Sequence, residues 1–285
     1  MRFLRPLYCV ALLARPVFLA VLFAAVTISS TASADQRRDF AMRQQKSDAT
    51  YLVLDLFVPG LQANIEHRKS IYGGANELVV RGGGIVSYPF GQVKLDVDIR
   101  LVVLVLGVSV GVTDTWRNIQ FAPGAPIDRR ERRERDFSGQ FNSVTYGFAE
   151  ARAQIVLPMS EHVLFNSVNT VRYENRPDRS FDWFLGVVHD SGNYIRSDNM
   201  LLFKHRDWGG MGPLVQLLDF GLDGQRHTMI NWGAMFVTRP GLRRRDDVFL
   251  FQILFNSGEF RDSYGIHTYR GPFNLLVAYR SLIEL

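Results

Sequence analysis

His189 and Ser191 stand two residues apart, with Asp190 between them and Asp198 close by. Residues two apart on an extended strand share a face. Ser191 could therefore act as a nucleophile, His189 as its base and a carboxylate such as Asp198 as the group that orients the ring. That set performs acyl transfer to water. Asp190-Ser191-Gly192 also reads as an ordinary turn, which would put the same residues on a loop. His205-Arg206-Asp207 is a second polar cluster, but Trp208-Gly209-Gly210 follows it as a loop edge. His67, His162, His227 and His267 are scattered without metal-ligand spacing, so neither a metal nor an organic cofactor is expected. Gly82-Gly83-Gly84 has no helix after it and makes a poor phosphate loop; a bulge or a close backbone approach explains it better.

The elements that would position such residues are strands. Between Gln92 and Arg100, Val93, Leu95, Val97 and Ile99 alternate with Lys94, Asp96, Asp98 and Arg100. Only an extended backbone puts the four apolar side chains on one face and the four charges on the other. A soluble sheet has this pattern when one face packs on a core, and a transmembrane barrel has it when one face meets lipid and the other a polar lumen. The alternation runs on to Val112 with its apolar face swapped from odd to even positions. Two strands joined by a turn within Leu101 to Leu106 account for that swap, although no Gly or Pro marks the turn.

Residues 1–34 read as a cleavable secretory signal. Arg2, Arg5 and Arg15 precede the apolar run Pro16 to Ile28, and Ala32-Ser33-Ala34 is a small-residue site that places cleavage between Ala34 and Asp35. The single cysteine, Cys9, lies inside that leader, so the exported chain has neither a disulfide nor a thiolate metal site. Without the three leader arginines the formal charge falls from +5 to +2, which is no nucleic-acid footprint. Four of the 33 basic residues are lysines, and the rest are arginines, which hold carboxylates in a planar two-point grip suited to buried ion pairs. After the leader no apolar run reaches eighteen residues, which excludes a helical span.

Residues 35–48 form a polar lead-in, and residues 49–285 a single domain of strands. Tyr51 to Val58 and the alternating Leu61 to Glu66 form a hairpin across Pro59-Gly60, and Glu77 to Tyr88 is the third strand. Trp116 to Gln140 is the most polar interval and reads as a solvated loop. Its Arg129, Arg130, Arg132, Arg133 and Arg135 could bind lipopolysaccharide phosphates or another acidic partner. Alternation returns at Phe148 to Leu157, where Glu150, Arg152 and Gln154 share the polar face. Further strands are expected at Val163 to Tyr173, Phe181 to His189, Tyr194 to His205, Met211 to Phe220, Thr228 to Thr238, Val248 to Asn256, Tyr264 to Arg270 and Phe273 to Leu285. The class is all-β: an antiparallel transmembrane β-barrel of about twelve strands, within a range of ten to fourteen. Lys94, Asp96, Asp98, Arg100, Glu150, Arg152 and Gln154 would face its lumen. Trp116, Tyr146, Trp183, Trp208 and Tyr264, near strand ends, would form an interfacial girdle.

Counted back from the carboxyl end, Leu285, Ile283, Ser281, Tyr279, Val277 and Leu275 form an alternate, largely apolar row. That row resembles the terminal strand of Gram-negative outer-membrane β-barrels. It departs from them in ending on leucine, where phenylalanine or tryptophan is preferred, and in the interruption at Ser281. The resemblance implies an outer-membrane location, recognition of Leu275 to Leu285 by the barrel-insertion machinery, and an even strand number. The His189-x-Ser191 spacing is also similar to that of outer-membrane lipid A deacylases. Here the usual following asparagine is displaced to Asn193 by Gly192, and no downstream glutamate is suitably placed. Three functions stay open: a narrow pore or structural barrel with an Arg/Asp/Glu-lined lumen, a lipid hydrolase using His189 and Ser191, and a soluble periplasmic β-sandwich or lipocalin-like binder.

Overall fold

Period-two patterning dictates the architecture of the computed structural model, which describes residues 48–57, 60–71, 76–101, 103–123, 137–183, 185–205, 209–238, 248–256 and 273–285. The strands are β1 (Ala49–Phe57), β2 (Gly60–Ile71), β3 (Asn76–Ser87), β4 (Phe90–Arg100), β5 (Leu104–Phe121), β6 (Phe137–Pro158), β7 (Val163–Glu174), β8 (Ser180–Asp182), β9 (Val187–His189), β10 (Gly192–His205), β11 (Gly209–Leu222), β12 (Gln225–Thr238), β13 (Val248–Asn256) and β14 (Phe273–Glu284). Twelve of them pair antiparallel around a closed barrel. β8 and β9 are a short hairpin inserted between β7 and β10, with a single bridge from Ser180 to Gln120 on β5. The even count of twelve expected from the sequence is met.

The face swap after Arg100 is a turn, as its pattern requires. β4 ends there, β5 begins at Leu104, and the Leu101 amide donates to the Leu104 carbonyl at 2.7 Å. β4 and β5 then run in register from Arg100↔Val105 to Phe90↔Thr115, so Val93, Leu95, Val97 and Ile99 lie beside Val112, Val110, Val108 and Leu106 on the outer face. At Asp223-Gly224 both residues have positive φ, 55° and 75°, the conformation a two-residue hairpin turn demands and glycine supplies without strain. Gly82-Gly83-Gly84 makes no bulge, because β2 and β3 keep unbroken register past it. Gly83 instead allows close approach: a Cβ there would collide with the Ala63 carbonyl and the Asn64 side chain.

Three expectations are corrected. Phe181 to His189 is not one wall strand but the two short strands β8 and β9, whose apolar residues are buried on every side. The Trp116 to Gln140 loop is shorter than expected, since β5 runs to Phe121 and β6 starts at Phe137. Tyr146 and Trp183 do not belong to an outer girdle: both are buried, whereas Trp116 is exposed. Trp208, Tyr264 and the strand expected at Tyr264 to Arg270 lie outside the described residues, as do the signal sequence with its Ala34/Asp35 site and most of the lead-in.

The barrel is inside out. Exposed apolar side chains occur on all twelve wall strands, among them Leu56, Ile65, Val93, Val110, Trp232 and Ile283. Buried charges fill the opposite face: Asp55, Glu66, Arg81, Asp96, Asp98 and Arg152 are each no more than 6% exposed. A globular sheet would bury the former and expose the latter. The seam closes between β1 and β14 over Tyr51↔Glu284 to Phe57↔Ala278, with Arg280 donating to both Asp55 carboxylate oxygens at 2.6 and 2.5 Å.

Candidate functional site

The lumen has two unlike walls. On β2 to β7 the inward positions are mostly polar. Lys94, Asp96, Asp98, Arg100, Arg152 and Gln154 are buried there, and Glu150 is half-buried beside Arg172, 3.6 Å away. Asp98, fully buried on β4, accepts from Arg81 on β3 and from Arg152 on β6, with Arg100 at 4.0 Å. Lys94 pairs with Asp96 at 3.2 Å, and Arg100 reaches Glu77 and Glu66 at 3.7 Å. Gln154 donates to Asn166 at 2.9 Å, and the Arg172 guanidinium lies 3.7 Å from the centre of the Phe148 ring. These charges form a lattice in which Arg81, Arg100 and Arg172 each serve more than one acid, an arrangement that offsets part of the desolvation cost of burying them.

On β10 to β13 the inward positions are mostly apolar, including Met200, Leu202, Leu214, Phe220, Met235 and Leu250. One polar thread crosses this wall. Arg196 donates to Asp198, Gln216 donates to the other Asp198 oxygen at 2.8 Å, and Asn231 donates to Gln216 at 2.9 Å. Sequence alternation concealed this wall because both faces of these strands are greasy.

A cap sits in one mouth, against β5, β10 and β11. The 175–191 connection leaves β7 at the end of the barrel opposite the start of β1 and Leu285. Phe181, Trp183, Leu185, Val187 and Val188 are all buried in one cluster with Ile119, Phe121, Tyr194 and Phe220 from the wall. Arg176 is its centre. Its Nη1 donates to Asp182 Oδ2 at 2.6 Å and to Glu174 Oε2 at 3.0 Å, and stands 3.0 Å from His189 Nε2. Its Nε donates to Ser180 Oγ at 3.0 Å and its Nη2 to the Phe181 carbonyl at 2.8 Å. Glu174, Asp182 and His189 offer three metal-ligand atoms within 4.8 Å of one another, but Arg176 Nη1 stands where a cation would sit. Nothing in their spacing revealed this group; the only signal was a charged, proline-containing connection after Glu174.

Asp182 titrates well below the usual carboxylate range. Burial opposes its charge, but the Arg176 cation and the His189 hydrogen bond outweigh burial, with a further bond from the Leu185 amide. Asp190 lashes the cap to the wall: one carboxylate oxygen accepts from the Arg179 amide at 2.9 Å and the other from the Asp223 amide at 2.6 Å. On the far side the Trp183 indole donates to the Arg117 carbonyl at 2.9 Å.

His189 and Ser191 meet different partners. The His189 Nδ1 donates to the Asp190 carbonyl at 2.7 Å, and its Nε2 is 3.0 Å from both Asp182 and Arg176. The Ser191 hydroxyl donates to the Glu174 carbonyl at 3.1 Å, and its amide donates to Asp178. Asp198 belongs to the lumenal thread. Nucleophilic chemistry by this pair would first require the imidazole to leave both of its present partners.

The fold thus defines a class, the closed antiparallel β-barrel with its greasy face outward and its charges inside. No protein-family model matches the chain, and no curated protein matches it in sequence. Solved structures with similarity to it include a NanC porin (9% identity, 83% of this chain and 99% of that one, TM-score 0.37). Others are the translocator domain of the autotransporter NalP from Neisseria meningitidis (10%, 91% and 98%, 0.41) and LpxR from Salmonella typhimurium (6%, 83% and 99%, 0.37). Similarity at this level does not extend to activity, and the barrel is read from its own strand pairing.

Proposed function

We propose that the protein is a Gram-negative outer-membrane β-barrel closed in its resting state: a filled, capped barrel rather than an open diffusion pore. The observation that carries this reading is the pairing of an apolar belt on every wall strand with buried, mutually neutralised charges inside. Only hydrocarbon makes that distribution favourable, since each exposed leucine or valine costs free energy in water and none in lipid. Wall strands of nine or more residues, at about 3.3 Å each, are long enough to cross such a membrane when tilted. Cap and charge lattice together obstruct the lumen, so solute would pass only if the cap moved.

Both termini of the wall lie at the end away from the cap, which supports a cap facing outward from the cell. Arg129, Arg130, Arg132, Arg133 and Arg135 lie outside the described residues; β5 ends and β6 begins at the capped end, so the chain between them would meet lipopolysaccharide phosphates there. β14, as the closing strand, is the natural contact for the insertion machinery.

Detergent extraction with heat-dependent gel migration tests the membrane reading, and a purified chain that stays folded and monomeric in plain buffer overturns it. Planar-bilayer recording tests the closed state: the native protein should give few or no openings, and steady conductance would instead establish a pore.

A further inference from the structure

A cluster of polar side chains interrupts the apolar belt of the outer wall. Midway along β7 and β10, Ser167, Asn169, Ser197 and Asn199 point outward in register, Ser197 opposite Asn169 and Asn199 opposite Ser167. They bond to one another. Ser167 donates to Asn199 Oδ1 at 2.8 Å, Asn169 Nδ2 donates to Ser167 at 3.2 Å, and Asn199 Nδ2 donates to Ser197 at 3.0 Å. Ile195 and Phe203 flank them on β10, and Val215 and Leu217 face them from β11, all exposed and apolar. The polar group therefore lies within the belt rather than at its rim.

Polar side chains facing hydrocarbon are costly unless every group is satisfied. These four are not fully satisfied by one another. Among the described residues, Asn169 Oδ1, the Ser197 hydroxyl hydrogen and one side-chain N–H of each asparagine have no partner. The set offers donors and acceptors together, so a copy of itself turned by a twofold axis would match it. Beside it runs a strip of small residues, Gly147, Ala149, Ala151 and Ala153 on β6, with Ala153 directly opposite Asn169. Small side chains let two walls approach closely enough for hydrogen bonds to form between them.

We propose that this face, β6 with β7 and β10, is the contact between two copies of the chain within the membrane. The proposal rests on the outer-membrane reading above. A twofold contact is self-complementary by construction, and a patch holding both donors and acceptors suits it where a patch of one sign would not. Dimerisation satisfies in hydrocarbon the amide and hydroxyl groups that a lone barrel leaves against lipid.

The test is a pair of single-cysteine variants of the full chain, whose own cysteine is Cys9 in the leader. Ala153→Cys on the proposed face should form a disulfide-linked dimer in isolated outer membranes under a mild oxidant. Ile65→Cys, 57% exposed on β2, should cross-link at least tenfold less. Replacing Asn169 and Asn199 by leucine in the Ala153→Cys background should cut the cross-linked fraction at least fivefold while heat-dependent migration is kept. Equal cross-linking at both positions, or no cross-link at Ala153→Cys in a chain that is membrane-embedded and heat-modifiable, overturns the dimer and leaves the membrane reading intact. Folding in plain buffer removes both. Recovery of a monomer carrying a tightly held lipid at this face would likewise overturn the dimer in favour of a lipid-binding patch.

Discussion

Arg152 and Asp98 lie two strands apart and are joined across the strand between them. β5 presents Gly107 at the crossing point, paired to Asp98 on one side and Arg152 on the other. A Cβ on Gly107 would fall on the Asp98 carboxylate and reach Arg152. The missing side chain is what lets the guanidinium through. Asp98 also takes Arg81 from the adjacent strand β3, and so joins β3, β4 and β6 in one charged lattice.

Removing the hub of that lattice should be costly. Asp98→Asn leaves buried guanidinium groups short of their acid, a change that costs about 3–5 kcal/mol in buried pairs. Gly107→Val should act in the same direction by wedging the pair apart. Urea unfolding in detergent, followed by loss of heat-dependent gel migration, measures both. A loss under 1 kcal/mol for Asp98→Asn would show the lattice to be dispensable.

Arg176 is the residue on which the cap should depend. Arg176→Ala removes five donors at once from a buried acidic group and should release β8 and β9 from the mouth while the twelve-strand wall survives. Two readouts are expected: new openings in planar bilayers, and protease cleavage within residues 175–191 at least tenfold faster than in the native chain. Arg176→Lys should give an intermediate result, because an ammonium cannot reproduce the planar fork.

Acid should loosen the same structure. The folded pKa of Asp182 is depressed from its ordinary 3.8, so its contribution is fully present above that value and is lost as pH falls further. Cap protection against an acid-active protease should therefore be constant above about pH 4 and decline below it. Asp182→Asn should show reduced protection throughout with a shallower acid decline.

The outer belt makes a prediction that a soluble sheet would not share. Val110→Arg, on the outward face of β5, should destabilise the barrel in lipid by about 2–4 kcal/mol, the range for arginine at the bilayer midplane. On a soluble surface the same change is near neutral. Folding yields in vesicles against denaturant decide between them.

Ser191→Ala should cost no more than about 1 kcal/mol, the worth of one hydroxyl-to-carbonyl hydrogen bond. Neither it nor His189→Gln should alter acyl-chain composition of lipid A in intact cells. A loss of deacylation in Ser191→Ala with the fold intact would restore the hydrolase reading.

The wall was legible wherever one face was greasy and the other charged, as on β4, and the turn after Arg100 could be found from the swap in parity alone. Phe181 to His189 misled because a short, mostly apolar segment reads the same in a wall strand as in a plug. The apolar half of the lumen escaped for the same reason: Met200, Leu201, Leu202 and Phe203 alternate inward and outward without changing character. Tyr146 lies inside β6 on the same parity as Glu150, Arg152 and Gln154, so its inward direction was already written in the alternation; Trp183 follows β8 in the cap, which no alternation reveals. The Glu174–Arg176–Asp182–His189 group exists only once the β8–β9 hairpin brings Asp182 and His189 to Glu174 at the end of β7, so its members carry no mutual spacing to detect.

The Asp55–Arg280 clasp joins residues 225 positions apart, whereas every other wall pairing links a strand to one of its nearest neighbours along the chain. Loop closure of that span carries an entropic penalty that the nearby hairpins do not face. The ring is therefore expected to shut last, after the neighbouring hairpins have zipped and the contents of the tube are already enclosed. Weakening the clasp would leave a sheet that has formed but cannot become a cylinder.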